Sequence, residues 1–105
     1  MSEISELVRA SAGIKILFLP HAVRQMARPD RMITVKDVRD CVFFGELVED
    51  YPEDARRHSC LLLGTDDPGR PIHVVCAPKV GYLSIITAYQ PDAKEWETDW
   101  KTRRR

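Results

Sequence analysis

Residues 46–91 read ELVEDYPEDARRHSCLLLGTDDPGRPIHVVCAPKVGYLSIITAYQP. The segment holds four strand-length runs rich in β-branched and aromatic side chains: ELVEDY (46–51), HSCLLLG (58–64), PIHVVCAP (71–78) and YLSIITAYQP (82–91). The separators contain the Pro, Gly and Asp that turns require, and they are too short for crossover helices. The segment therefore predicts a four-stranded antiparallel β-meander.

The residues before this segment favour helices. Gly13 and Pro29 are expected to end the first two helices, and Thr34 is a suitable N-cap for the third. The predicted elements are a helix at 3–12, a strand at 14–20, a helix at about 20–28 and a helix at 35–44.

Two tryptophans follow the last predicted strand. Trp96 and Trp100 are four residues apart, a spacing that places both on one face of a short C-terminal helix over residues 92–100. The basic tail, residues 101–105, is expected to be a solvated end. Because the helices come first and the sheet follows, the sequence predicts an α+β fold. We expect a single domain over residues 1–105.

Composition narrows the class of protein. The 105 residues carry 16 Lys+Arg and 16 Asp+Glu, and this balance gives little long-range attraction to a polyanion. No apolar run approaches the roughly 20 residues that span a bilayer, so no membrane association is expected. No phosphate-loop or dinucleotide-binding motif is present, and no cofactor is predicted. The three cysteines lack C-x-x-C spacing, which predicts reduced thiols in a cytoplasmic protein.

A zinc site is the metal alternative. His58, Cys60, His73 and Cys76 are ligand types that zinc prefers. His73 and Cys76 are three residues apart in one predicted strand, however, and therefore point to opposite faces of the sheet. The sequence predicts no metal site.

Several motifs follow one another in a recognisable order: LPHA (19–22) with Arg24 and Met26, GELVEDYP (45–52), SCLLLG (59–64), GRPIHVV (69–75) and IITAYQPD (85–92). Over residues 18–100 the chain resembles the bacterial family called domain of unknown function 4258. That family looks like a distant relative of the RelE and BrnT ribonuclease toxins, in which helices precede an antiparallel sheet. The resemblance implies the same fold, a toxin-like ribonuclease activity and an antitoxin-like protein partner.

A row of cationic side chains lies on the second predicted helix. Spacings of three and four place His21, Arg24 and Arg28 on one face. Metal-free RNA cleavage needs a base for the 2′-hydroxyl, a cation for the phosphate and an acid for the leaving oxygen. His21 is the candidate base or acid, Arg24 the candidate catalytic cation and Arg28 a candidate substrate contact. We expect the site between this helix and the sheet; in the alternative, the arginines pair with the acidic segment 46–54.

The predicted strands carry further candidates. Thr87 and Tyr89 share one face of the last strand, where Tyr89 is placed to donate its hydroxyl proton or to stack on a base. His73, Arg57 and Thr87 are candidate substrate contacts, although a lone strand histidine is also typical of a packed, hydrogen-bonded residue. Glu46 and Glu49 are possible general bases, although their acidic segment also resembles an electrostatic surface.

Two functions of different classes remain open. One is a metal-independent endoribonuclease similar to RelE and BrnT, with RNA as substrate. The other is a non-catalytic protein-interaction module of the same fold, which binds its partner through the sheet or through the helix of Trp96 and Trp100. The candidate partners are RNA, an antitoxin-like protein and a second copy of the chain.

Overall fold

A computed structural model describes residues 3–55 and 57–105 of the chain. Within these ranges the chain forms three helices and five strands in an α+β arrangement. The elements are α1 (Glu3–Ile14), β1 (Ile16–Phe18), α2 (Pro20–Met26), α3 (Val35–Phe44), β2 (Glu46–Tyr51), β3 (Ser59–Thr65), β4 (Pro71–Lys79) and β5 (Tyr82–Tyr89). The predicted helices before the sheet and the four predicted strands after them are confirmed to within a few residues.

The sheet differs from the predicted meander by one strand. Its order is β1-β5-β4-β3-β2, and β2 to β5 are antiparallel neighbours as expected. β1 adds a fifth strand that runs parallel to β5, with Ile16 opposite Leu83 and Phe18 opposite Ile85. Both backbones gain hydrogen bonds by this pairing, which satisfies polar groups that the edge of β5 would otherwise leave unpaired. The sheet is therefore mixed and five-stranded.

The helices cover one face of this sheet. The core contains Val8 from α1, Ala22 from α2 and Val38 from α3, together with Val74 of β4 and Ile85 of β5. Side chains of a strand alternate between its two faces, so the neighbours of these strand residues point away from the helices. This alternation places the polar residues of the strands on the open face.

α3 is fixed at both ends by its own sequence. The Thr34 hydroxyl accepts a hydrogen bond from the Asp37 amide, and the Asp37 carboxylate accepts one from the Thr34 amide, each at 3.0 Å. This capping box confirms the predicted N-cap. Where α3 crosses β3, a Cβ placed on Gly64 would lie 2.8 Å from the Cβ of Cys41, so only glycine permits this close approach.

Two predictions about helices differ from the structure. α2 ends at Met26 with Ala27 as its C-cap, so Arg28 lies beyond the helix and forms an ion pair with Asp30 at 3.3 Å. No helix forms over residues 92–100, part of the described range. Instead, the Asp99 carboxylate accepts hydrogen bonds from the backbone amides of residues 101 and 102, an alternative that competes with helix formation.

The C-terminal segment, residues 92–105, folds back on itself. Trp96 and Arg103 form an isolated antiparallel bridge, and the Glu97 amide donates to the Thr102 carbonyl at 2.8 Å. Residues 101–105 are exposed, as expected of a solvated end, and Lys101 and Arg103 form ion pairs with the acidic strand β2.

No described helix is long and apolar enough to cross a membrane. All three cysteines are free and buried, as expected of small apolar side chains.

Candidate functional site

Polar side chains from three strands meet on the open face of the sheet. Glu49 and Tyr51 come from β2, His73 from β4 and Tyr89 from β5. His73 lies opposite Tyr89 in the strand register, and Ile72 and Val74 on either side of His73 point into the helix-covered core. With Trp96 and Arg103 of the C-terminal segment, these four side chains form what we call the sheet-face cluster.

His73 occupies the middle of the cluster and is fully buried. Its Nε2 lies 2.7 Å from the carbonyl oxygen of Trp100, so Nε2 carries the proton. Its Nδ1 is 3.4 Å from the Tyr89 hydroxyl and is left to accept from it. Burial lowers the pKa of His73, against the opposing effects of the Trp100 carbonyl and the Glu49 carboxylate. The imidazole is therefore neutral near pH 7.

Glu49 binds a guanidinium and a phenol at once. Arg103 donates from Nε to Oε2 at 2.8 Å and from Nη2 to Oε1 at 3.0 Å, and the Tyr51 hydroxyl also donates to Oε1. The hydrogen bonds from Arg103 hold the pKa of Glu49 below its ordinary value, although partial burial opposes them. Burial and the neighbouring carboxylate raise the pKa of Tyr51. Glu49 is therefore ionised near pH 7 and Tyr51 is neutral.

Aromatic rings line the space between these groups. The Trp96 ring meets His73 edge-on, with centroids 4.6 Å apart, and Tyr89 meets His73 edge-on at 5.5 Å. The guanidinium carbon of Arg103 lies 4.6 Å from the Trp96 ring centroid, within cation–π distance. Trp96 is only 2% exposed, so the aromatic surface faces the cluster rather than solvent.

A basic patch borders Tyr89. Burial raises the pKa of Tyr89, and the charge of Arg31 acts in the opposite direction. Arg70 donates from Nε to the buried Asp66 carboxylate at 2.8 Å and from Nη2 to the Arg31 carbonyl at 3.2 Å. Asp66 therefore offsets the charge of Arg70, and Arg31 adds positive charge at this end of the sheet.

The structure divides the predicted site residues between two sides of the sheet. Tyr89, Thr87 and His73 lie on the open face. His21 and Arg24 lie on α2, in the helix layer across the sheet, and their side chains are exposed. Arg28, also on the helix side, is exposed as well.

Arg57 belongs to neither group. Its side chain lines a groove between α1 and the β4–β5 turn. The seven predicted residues therefore do not form one site, and the sheet-face cluster contains only His73 and Tyr89 of them.

Sequence reasoning missed most of the partners of His73 and Tyr89. The sequence pattern predicts a solvated end at 101–105, which contains Arg103, and a helix that contains Trp96, and it assigns no role to Tyr51. Glu49 is one of two possible general bases in the acidic segment. The available signal was charge complementarity, because an acidic segment at 46–54 and a basic segment at 101–105 are natural ion-pair partners.

The four residues of the zinc alternative do not lie together. The Sγ atoms of Cys60 and Cys76 lie 3.9 Å apart in the helix-covered core, whereas His73 points to the other face. His58 forms an ion pair with Asp50. Among the described residues, no three histidine, cysteine or acidic side chains come together as a metal site.

The fold and the sheet-face cluster define an α+β protein with a carboxylate, an imidazole and a guanidinium on the open face of its sheet. The chain belongs to the family described as Domain of unknown function (DUF4258), whose model matches residues 18–90. No curated protein and no solved structure matches the chain. The matched range includes Glu49, Tyr51, His73 and Tyr89 and ends before the C-terminal segment.

Proposed function

We propose that the protein is a metal-independent endoribonuclease of the RelE and BrnT type that acts at the sheet-face cluster. One observation carries the proposal: a carboxylate, an imidazole, two phenols and a guanidinium converge on the open face of the sheet, with Glu49 in direct contact with Tyr51 and Arg103, and His73 in direct contact with Tyr89. These are the groups that RNA cleavage by the neighbouring 2′-hydroxyl requires.

The reaction is a transfer of the phosphoryl group within the RNA. Glu49 accepts the proton of the 2′-hydroxyl while the 2′-oxygen bonds to phosphorus. The bond from phosphorus to the 5′-oxygen breaks, and Tyr89 donates a proton to that oxygen. The products are a 2′,3′-cyclic phosphate and a free 5′-hydroxyl. His73 touches Tyr89 and orients its hydroxyl, and Arg103 stabilises the charge of the phosphate.

The ion pair of Glu49 with Arg103 fits this scheme. A carboxylate whose pKa is held low is a weak base, so Glu49 is not yet activated in the empty site. A phosphate that takes the two donors of Arg103 removes their effect on Glu49. The pKa of Glu49 then rises towards its ordinary value as substrate binds.

The test is cleavage of a fluorescent RNA oligonucleotide by the purified protein, with a chelator present. Glu49→Gln and Tyr89→Phe keep the shape of each side chain and should each slow cleavage by about 100- to 10,000-fold. Glu53→Gln, in the same acidic segment, and Tyr82→Phe, on the same strand, are the matched controls and should cleave at the normal rate.

His21→Ala separates the two candidate sites. The helix-face hypothesis expects this variant to lose activity, whereas the sheet-face proposal expects little change because His21 lies across the sheet. Loss of cleavage in His21→Ala but not in Glu49→Gln would move the site to α2. A native chain that neither cleaves RNA nor arrests growth on induced expression would contradict the ribonuclease proposal altogether.

A second candidate function is that of a protein-interaction module. A groove of about 730 Å3 between α1 and the β4–β5 turn is lined by exposed apolar side chains, among them Leu7, Ile14 and the fully exposed Val80. Arg57 adds positive charge at its rim. This surface fits an acidic amphipathic segment of an antitoxin-like partner better than Trp96 does, because Trp96 is buried. Val80→Asp should abolish partner capture without affecting RNA cleavage.

A further inference from the structure

The C-terminal segment closes the sheet-face cluster. The ring of Trp96 covers one side of the His73 ring, and the Trp100 carbonyl oxygen accepts a hydrogen bond from the Nε2 of His73. Arg103 occupies both oxygens of Glu49. His73 therefore has no surface open to a nucleotide while the segment stays in place, and Glu49, whose side chain is 25% exposed, has both carboxylate oxygens bound by Arg103.

The segment is attached to the sheet by side chains. Within the described chain, its backbone-to-backbone hydrogen bonds join segment residues to one another, as between Arg104 and Glu95 or Trp100 and Glu97. No ladder of backbone hydrogen bonds has to break for the segment to move away from the sheet, but Trp96, which is 2% exposed, has to leave its contact with His73.

The charged attachments lie near the surface. The side chain of Arg103 is 58% exposed, and Lys101, which reaches Glu46 at 3.2 Å, is 42% exposed. Ion pairs of this exposure are individually weak and exchange readily for other partners. The two-point contact between Arg103 and Glu49 is the stronger attachment because its geometry matches a carboxylate.

We propose that the C-terminal segment is a lid over the sheet-face cluster, latched by Arg103 on Glu49, and that a phosphodiester releases the latch by taking Arg103. Phosphate oxygens offer the same two-point acceptor as the carboxylate, so the guanidinium exchanges one anion for the other. Release exposes His73 and frees Glu49. That the lid controls RNA cleavage rests on the proposed function. That the segment opens when Arg103 releases Glu49 does not depend on it.

Labelling of the histidines by diethyl pyrocarbonate, read by peptide mass spectrometry, tests the lid without any activity assay. In the native chain the exposed His21 should react and His73 should be protected. Arg103→Ala should raise the labelling rate of His73 by about tenfold, the effect of losing one charge-assisted two-point contact. Glu49→Gln, which removes the other half of the latch, should do the same. Arg105→Ala removes an equal charge from the same segment and should leave His73 protected.

Each other outcome counts against the lid. If His73 in the native chain reacts as fast as His21, the segment is not closed. If His73 stays protected in both latch variants, Arg103 is not the latch. If Arg105→Ala has the same effect as Arg103→Ala, only the overall charge matters. Circular dichroism identifies a variant that has unfolded. If one of the two latch variants is unfolded, the labelling of His73 in the other one tests the lid. If the labelling pattern is as expected but the protein does not cleave RNA, the ribonuclease proposal is wrong and the lid proposal is still supported.

Discussion

The carboxylate of Glu49 accepts hydrogen bonds from two side chains that lie far apart in the sequence, Tyr51 and Arg103. Such a group links the stability of the fold to pH, because its pKa differs between the folded and unfolded chain. In the folded chain the pKa of Glu49 is lowered, chiefly by Arg103, from an ordinary value of 4.5. The stabilisation is therefore fully present above 4.5 and is lost as the pH falls through the folded value.

We predict that Glu49→Gln lowers the free energy of unfolding by about 1 kcal/mol near neutral pH, the value expected for a partly exposed pair. The difference between the native chain and the variant should shrink as the pH falls below 4.5, where Glu49 of the unfolded chain becomes protonated, and should be lost once the pH has passed through the lower pKa of Glu49 in the folded chain. Urea denaturation at a series of pH values measures this. A difference that stays constant with pH would show that the ion pair contributes nothing specific.

Single residues of the cluster were predictable only where a local pattern identified them. Alternation along a strand placed Thr87 and Tyr89 on one face, and it separated His73 from Cys76. Arg103 had no local signal, because its partner Glu49 lies on a distant strand and its neighbours form an ordinary basic run. Long-range ion pairs follow from the fold, so the sequence alone did not predict this contact.

Among the elements, α3 illustrates how local sequence determines a boundary. Its capping box joins Thr34 and Asp37 through two reciprocal hydrogen bonds, and the buried Val38 and Cys41 fix its position against the sheet. The helix start was predictable because both signals lie within one turn. The turns of the C-terminal segment were not predictable, because the spacing of Trp96 and Trp100 fits a helix as well as it fits the turns that Asp99 stabilises.

We predict that Thr34→Ala destabilises the protein by about 1 kcal/mol, since one end of α3 loses a hydrogen-bond acceptor for its free amides. Thr34→Ser keeps the hydroxyl and should retain nearly all of the stability. Thermal unfolding followed by circular dichroism measures both variants. Equal loss in the two variants would assign the effect to the methyl group of threonine and not to the cap.

At the scale of the whole molecule, the rate at which the three buried cysteines react measures how often the core opens. Burial raises the pKa of Cys41 to about 12, and the neighbouring Cys60 together with burial raises that of Cys76. The reactive thiolate is therefore scarce as well as inaccessible in the folded state.

We predict that a thiol reagent such as dithiobis-nitrobenzoate labels none of the cysteines of the native protein within minutes and labels all three after unfolding in denaturant. The number of labelled thiols is read from the absorbance of the released product and from intact mass. Labelling of Cys41 alone under native conditions would show that α3 separates from β3 independently of the rest. An intramolecular disulfide would appear as two missing thiols.

The parallel pairing of β1 with β5 has a consequence for biosynthesis. Chains are made from the N-terminus at a few residues per second, so α1, β1 and α2 leave the ribosome well before residues 82–89 have been translated. Until β5 emerges, β1 has no partner, and the apolar face of α2, which packs against β5, stays uncovered. Nascent chains that stall before residue 82 therefore expose β1 and α2 to aggregation.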